Sequence, residues 1–249
     1  MTEHDDRGDV GPSPVEGTDA PRSLPSVGPV PGKHKHMPVW QELFLLLGLA
    51  LVLAVGIKAL VMQAFYIPSG SMNDTLVFND RILVQKISYW NGDPERGDVV
   101  VFADPGGWLS GQEVPRPRNA VVKGLEWVGL FPTGGHLVKR VIAVGGDTVK
   151  CCDPKGRVRV NGKPLAEKAY LAPGEEPSLV TFEQVVPEGY LWVMGDNRSQ
   201  SADSRAHLGD PGGGFVPVDD VVGKVFAVVW PLDHTKLIRR PDTYEAVGR

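Results

Sequence analysis

The stretch Ile67-Pro68-Ser69-Gly70-Ser71-Met72-Asn73-Asp74-Thr75-Leu76 sets two hydroxyls around a glycine, directly after a rigid proline. By residue preference this is an ordinary turn. It is also a bend that can expose a nucleophilic hydroxyl and turn donors toward an oxyanion. A serine nucleophile needs a base, and the six histidines supply none in a recognisable arrangement: His4, His34 and His36 fall near the N-terminus, while His136, His207 and His234 stand in no triad signature. Lysine is the other route, because burial among apolar neighbours lowers an amine from its usual pKa of ~10.4 toward the working range. Lys139 lies in His136-Leu137-Val138-Lys139-Arg140-Val141-Ile142-Ala143-Val144. Strand alternation there sets it on the face opposite Val138 and Arg140. The same pattern accommodates a solvent-facing lysine on a half-buried strand. A third block, Met194-Gly195-Asp196-Asn197-Arg198-Ser199-Gln200-Ser201-Ala202-Asp203-Ser204-Arg205, reads as a polar loop of turn formers. It reads equally as acids and bases that pair to stiffen a loop beside a site, with Ser201 free to hydrogen-bond a neutral lysine amine.

These blocks need a frame. With 42% hydrophobic residues, 249 residues can bury one good-sized core and still carry appendages. A net charge of −4 gives no electrostatic reason for a polyanionic partner and disfavours nucleic-acid binding. The only cysteines, Cys151 and Cys152, are adjacent and cannot supply the spaced ligands of a structural zinc site. They are expected either as a vicinal disulfide or as two free thiols.

Residues 1–38 are rich in Pro, Gly, Ser and Asp and show no periodicity, so they read as a disordered tail. From Leu43 to Ile57 no charge interrupts the apolar run, which continues past Lys58 to Met62. At ~1.5 Å per residue this covers the ~30 Å hydrocarbon thickness, so residues 39–62 are expected as one transmembrane helix. A cleavable signal peptide would start near residue 1 and carry a shorter run. Arg22, Lys33 and Lys35 before the helix, against Lys58 and Arg81 after it, lean slightly toward a cytoplasmic N-terminus.

Residues 63–249 read as the folded domain. Short apolar runs over 81–87, 99–102, 137–144, 158–160, 190–194 and 221–230 are expected strands. The turn formers Asn91-Gly92-Asp93-Pro94, Gly145-Gly146-Asp147 and Asn161-Gly162-Lys163-Pro164 punctuate them, which points to a mainly β, antiparallel fold with hairpins. Within an insertion of about 103–136, Val121, Val122, Leu125, Val128 and Leu130 follow Asn119 at near-helical spacing and predict a helix. Its Trp127-bearing face could rest against lipid or pack on the sheet.

Taken with Arg96-Gly97-Asp98-Val99-Val100-Val101-Phe102 and Gly145-Gly146-Asp147, the three blocks and the helix make the chain resemble the bacterial type I signal peptidases over nearly its full length past the tail. That resemblance implies a barrel-like antiparallel β catalytic domain, on the outer face of the plasma membrane, which hydrolyses the signal-peptide bond of exported preproteins with no metal or cofactor. It implies Ser71 as nucleophile, Lys139 as general base, Ser69 beside the Ser71 amide in the oxyanion hole, and Ser201 orienting the Lys139 amine. Asp196, Arg198, Asp203 and Arg205 would buttress the site. Ile67, Pro68, Met72, Leu76 and Val138 would shape shallow pockets for the small side chains one and three residues before the cut. A self-cleaving Ser-Lys protease of the SOS-repressor kind shares the dyad logic, but it would carry a DNA-binding helix-turn-helix where this chain has an apolar span.

Overall fold

The computed structural model describes residues 38–90, 92–109 and 135–247, with the side chains of 57–60 excepted. The N-terminal tail, the helix expected over 121–130 and most of the insertion of about 103–136 lie outside the described residues.

Helix α1 spans Val39–Val61, 23 residues, with Glu42 the one acidic group in its first turn. Its segment Val39–Gly56 is long and apolar enough to cross a membrane, by length and composition, and its side chains are exposed throughout. An exposed apolar surface of that length is costly in water and matches a hydrocarbon solvent. The helix stops at Val61, one residue before the expected end, because Met62 already pairs with Gln85.

Strand β1 is Met62–Tyr66, followed by β2 (Arg81–Gln85), β3 (Val99–Ala103), β4 (His136–Val144), β5 (Thr148–Cys151) and β6 (Arg159–Val160). The remaining strands are β7 (Lys163–Pro164), β8 (Phe182–Val185), β9 (Tyr190–Met194), β10 (Val216–Pro217), β11 (Val221–Trp230) and β12 (Lys236–Leu237). A larger sheet runs β1-β2-β11-β3-β4-β9-β10, with β12 added on β11, and a smaller one runs β7-β6-β5-β8. Every pairing is antiparallel. The mainly β class is therefore as expected. The strand expected over 81–87 ends at Gln85, where its partner β1 runs out, and Ile87–Tyr89 turns as a short 3-10 segment. Asn161 and Gly162 both take positive φ between β6 and β7, the conformation that a two-residue hairpin requires.

Strand β3 shows why the larger sheet is apolar on both faces. Val99 and Val101 pack with Phe65, Ile82, Val84 and Val225, whereas Val100 and Phe102 pack with Val141, Val193 and Val216. Two covered faces make a continuous Val-Val-Val-Phe run rather than an alternating one. The smaller sheet closes over a further cluster in which Val149, Val160 and Phe182 meet Ile142, Trp192 and Met194 of the larger one. Cys151 is buried in that cluster and is bonded to Cys152 as a vicinal disulfide.

Two motif blocks that carry no chemistry are explained by this frame. Arg96 Nε donates to Asp147 at 2.6 Å, tying the turn before β3 to the turn after β4. Asp98 faces Lys224 of β11 at 2.6 Å. The first contact braces β3 against β4 and the second braces it against β11.

Glycine is required where β11 changes register against β3, between Val221 and Gly223, and begins its pairing with β2 at Lys224. A Cβ at Gly223 would sit 2.5 Å from the Gln85 carbonyl oxygen. Backbone cannot yield as a side-chain tip does, so Gly223→Ala is expected to cost about 1–3 kcal/mol of stability. Urea unfolding of the detergent-solubilised chain checks this, and an unchanged midpoint would show that the strands relax freely.

Candidate active site

The loop 67–80 joins β1 to β2 and is closed at its base by Ile67 N–H donating to Asp80 O and Asn79 N–H to Ile67 O, both 3.0 Å. Above this, Leu76 N–H donates to Met72 O at 2.7 Å, which winds residues 71–76 into a tight turn. Met72 and Leu76 are 1% and 0% exposed and anchor the turn in the core. The apolar anchors thus hold the turn rigid while its start runs from an exposed Ser69 to Ser71, which is 7% exposed.

Lys139 reaches this loop from β4, the central strand between β3 and β9. In the ammonium form Nζ donates to Ser71 Oγ at 2.7 Å, and the same separation lets the Ser71 hydroxyl donate to a neutral amine. The alternative of a solvent-facing lysine is excluded, since Lys139 is 4% exposed. Burial lowers its pKa to about 8, against an opposing pull from Asp203 and Asp196. Ser69 is exposed and its Oγ lies 3.4 Å from Ser71 Oγ. The Ser71 N–H has no acceptor among the described residues.

Strand β9 ends with Met194 opposite Arg140, so the block that follows emerges level with the lysine. Of its expected internal pairings one is present: Arg205 holds Asp203 with two bonds of 2.9 and 2.7 Å. Burial pushes the Asp203 carboxyl up, but Arg205, the Gly195 amide and the nearby Ser201 hydroxyl outweigh it and keep it below the usual carboxylate range. Asp196 instead takes a bidentate pair from Arg140, at 2.8 and 2.6 Å, and accepts from Thr75 at 2.6 Å. Arg198 reaches Glu167 at 2.6 Å and the Gly195 carbonyl at 2.8 Å. Arg140, Thr75 and Glu167 were not singled out in the sequence. Arg140 alone left a signal there, as a second cation beside Lys139 within an apolar strand.

Ser201 lies at the site, packed on Gly195, where a Cβ would come 2.3 Å from Ser201 Oγ and 2.5 Å from Ser71 O. Its Oγ is buried and completes no hydrogen bond among the described residues, although it is close enough to act on Asp203. The five expected pocket residues divide. Ile67, Met72 and Leu76 are core members with almost no exposed surface, whereas Pro68 is exposed and Val138 half-buried.

A serine hydroxyl in contact with a buried lysine is the arrangement of serine hydrolases in which lysine stands in for the usual imidazole. Residues 40–230 match the family described as signal peptidase, peptidase S26, and the chain belongs to that family. Signal peptidase I of Mycobacterium tuberculosis is 42% identical over 223 residues, covering 80% of this chain and 75% of its own. The signal peptidase I of Leptolyngbya laminosa is 36% identical over 198 residues, covering 80% of this chain and 83% of its own. That of Pseudomonas fluorescens is 30% identical over 243 residues, covering 80% and 75%.

Gly195 leaves no room for a side chain between Ser201 and the Ser71 backbone. A methyl group there must push back both the Ser201 side chain and the Ser71 carbonyl, and a misplacement of ~1 Å costs on the order of 10² in rate. Gly195→Ala is therefore expected to lose about that factor in turnover while remaining folded. Steady-state cleavage together with circular dichroism is the check, and normal turnover would mean that the loop yields without moving the hydroxyl.

Proposed function

We propose that this chain is a membrane-anchored endopeptidase that removes N-terminal signal peptides from exported preproteins, with Ser71 as nucleophile and Lys139 as general base. The neutral amine takes the Ser71 proton as Oγ attacks the scissile carbonyl. The oxyanion is received by the Ser71 N–H and the Ser69 hydroxyl. The protonated lysine then passes its proton to the leaving amine, which departs as the new N-terminus of the mature protein, and the signal peptide stays as an ester on Ser71. Water, deprotonated by the same amine, cleaves the ester and releases the signal peptide as a carboxylate. Ser201 orients the amine, while Asp196, Arg198, Asp203 and Arg205 keep its loop in place. Pro68 and Val138 offer contact surface to small side chains before the cut, over Ile67, Met72 and Leu76 beneath them.

The observation that carries this reading is the 2.7 Å contact between Ser71 Oγ and the Nζ of a buried lysine. A Lys139 pKa lowered to about 8 also supports it, because an appreciable fraction of the amine is then neutral near pH 7. The sign follows from the reactive form. Neutral Lys139 is the competent state, so turnover rises with pH through about 8 and levels off above it. Ser71→Ala should abolish cleavage of a signal-sequence peptide, and Lys139→Ala should lower it by about 10²–10⁴ or more. Full activity in a folded Lys139→Ala chain would falsify the dyad.

The membrane part of the proposal places residues 1–38 in the cytoplasm, α1 in lipid, and residues 63–249 on the outer face, where exported substrates present their cleavage sites. No nucleic-acid partner is assigned. Protease added to intact spheroplasts should digest the folded domain and spare the tail. The opposite pattern of protection would reverse the assigned orientation.

A further inference from the structure

Asn197 sits where an Asn would ordinarily cap the turn Arg198–Gln200, yet its side chain makes no such bond. It is 8% exposed, so its amide is largely withdrawn from water and must find partners within the protein. Nδ2 crosses to the nucleophile loop and donates to Gly70 O at 2.9 Å, and its backbone N–H donates to Ser71 O at 3.1 Å. One residue thereby grips the carbonyls on both sides of the nucleophile.

The Gly70 carbonyl has a particular partner. It belongs to the peptide unit that also carries the Ser71 N–H, and in a planar trans peptide the C=O and N–H point in opposite directions. Fixing the oxygen fixes the direction of the hydrogen. Gly70 O also accepts from Asn73 N–H at 3.0 Å, but that bond is internal to the turn and moves with it. The Asn197 bond ties the same oxygen to the loop that carries Gly195 and Ser201. Drawing density toward the carbonyl also strengthens the N–H as a donor.

We infer that Asn197 is a positioning residue for the oxyanion hole, which holds the Gly70–Ser71 peptide plane so that the Ser71 N–H points at the developing oxyanion. The inference rests on the proposed role of Ser71 and adds to it a residue whose side chain touches neither substrate nor the Ser71 and Lys139 side chains. Asn197→Ala removes the donor, and Asn197→Asp keeps the size while turning an acceptor toward Gly70 O. Both leave the backbone bond to Ser71 O available.

The experiment is steady-state cleavage of a signal-sequence peptide by the full chain in detergent, across pH, together with inhibition by a peptide aldehyde whose adduct with a serine carries the oxyanion. Both variants are expected to lose about 10–100-fold in kcat, less than the loss of a whole donor, with KM within about threefold. The pH inflection should stay where the wild-type chain has it, since Lys139 is untouched. Aldehyde affinity should fall in step with kcat/KM. In combination with Ser69→Ala the losses should be less than multiplicative, because both changes act on one oxygen. The inference is overturned if either folded variant keeps kcat within about threefold of wild type, or if kcat/KM falls while aldehyde affinity does not. It is equally overturned if the loss is accounted for by a moved pH inflection or by unfolding. Should Asn197→Ala fail to fold, the near-isosteric Asn197→Asp carries the test. Failure of the underlying assignment looks different, since the wild-type chain would not cleave the peptide or Ser71→Ala would still do so.

Discussion

An amine that is to act as a base near neutral pH must be taken out of water without being given a carboxylate to salt-bridge. Burial alone would do the first, but two carboxylates, Asp203 and Asp196, lie near enough to Lys139 to pull its pKa back up. Each is committed elsewhere by a two-bond arginine pair, Asp203 to Arg205 and Asp196 to Arg140. Desolvation prevails at the lysine, and Arg205 adds to it by lowering the lysine pKa as well. The Asp203–Arg205 pair thus has an electrostatic consequence for Lys139 as well as a mechanical one.

Strand β4 treats two neighbouring cations in opposite ways. Arg140 is 2% exposed, forked onto Asp196, bonded to Gly97 O at 2.9 Å and stacked 4.4 Å from the Tyr170 ring centre. A guanidinium keeps its charge under such conditions, so its burial demands full pairing. Lys139, one residue away, meets a hydroxyl rather than a carboxylate. An ammonium gives up its proton far more readily than a guanidinium, so of these two cations only Lys139 suits the base role proposed for it.

Two loops from distant parts of the chain meet over this strand, and backbone groups take part in most of the contact. Gly195 lets Ser201 and the Ser71 carbonyl approach within a distance that any Cβ would forbid, and Asn197 bonds to Gly70 and Ser71. Thr75 bridges the same two loops through Asp196. Backbone contacts fix positions more tightly than long side chains do, because fewer torsions separate the bonded atoms from the main chain.

The sequence alone determined what depends on local chemistry. Apolar runs and turn formers specified a mainly β domain after one long apolar helix, and Asn161-Gly162 marked its hairpin. Proline, glycine and two serines marked the bend, and a lysine within an apolar strand marked the amine that meets it. Tertiary structure decided which groups meet. Asp196 pairs with Arg140, 56 residues away, and not within its own block, while Arg198 pairs with Glu167, 31 residues away. Asn197 bonds to Gly70 across 127 residues. Residue type shows that a buried acid needs a cation, but many cations satisfy that need, and only the register of β4 against β9, with Arg140 opposite Met194, selects one. Pocket residues divided for the same reason: an apolar side chain reads alike in sequence whether it lines a surface or fills the core beneath it, and packing of the sheet put Met72 and Leu76 inside.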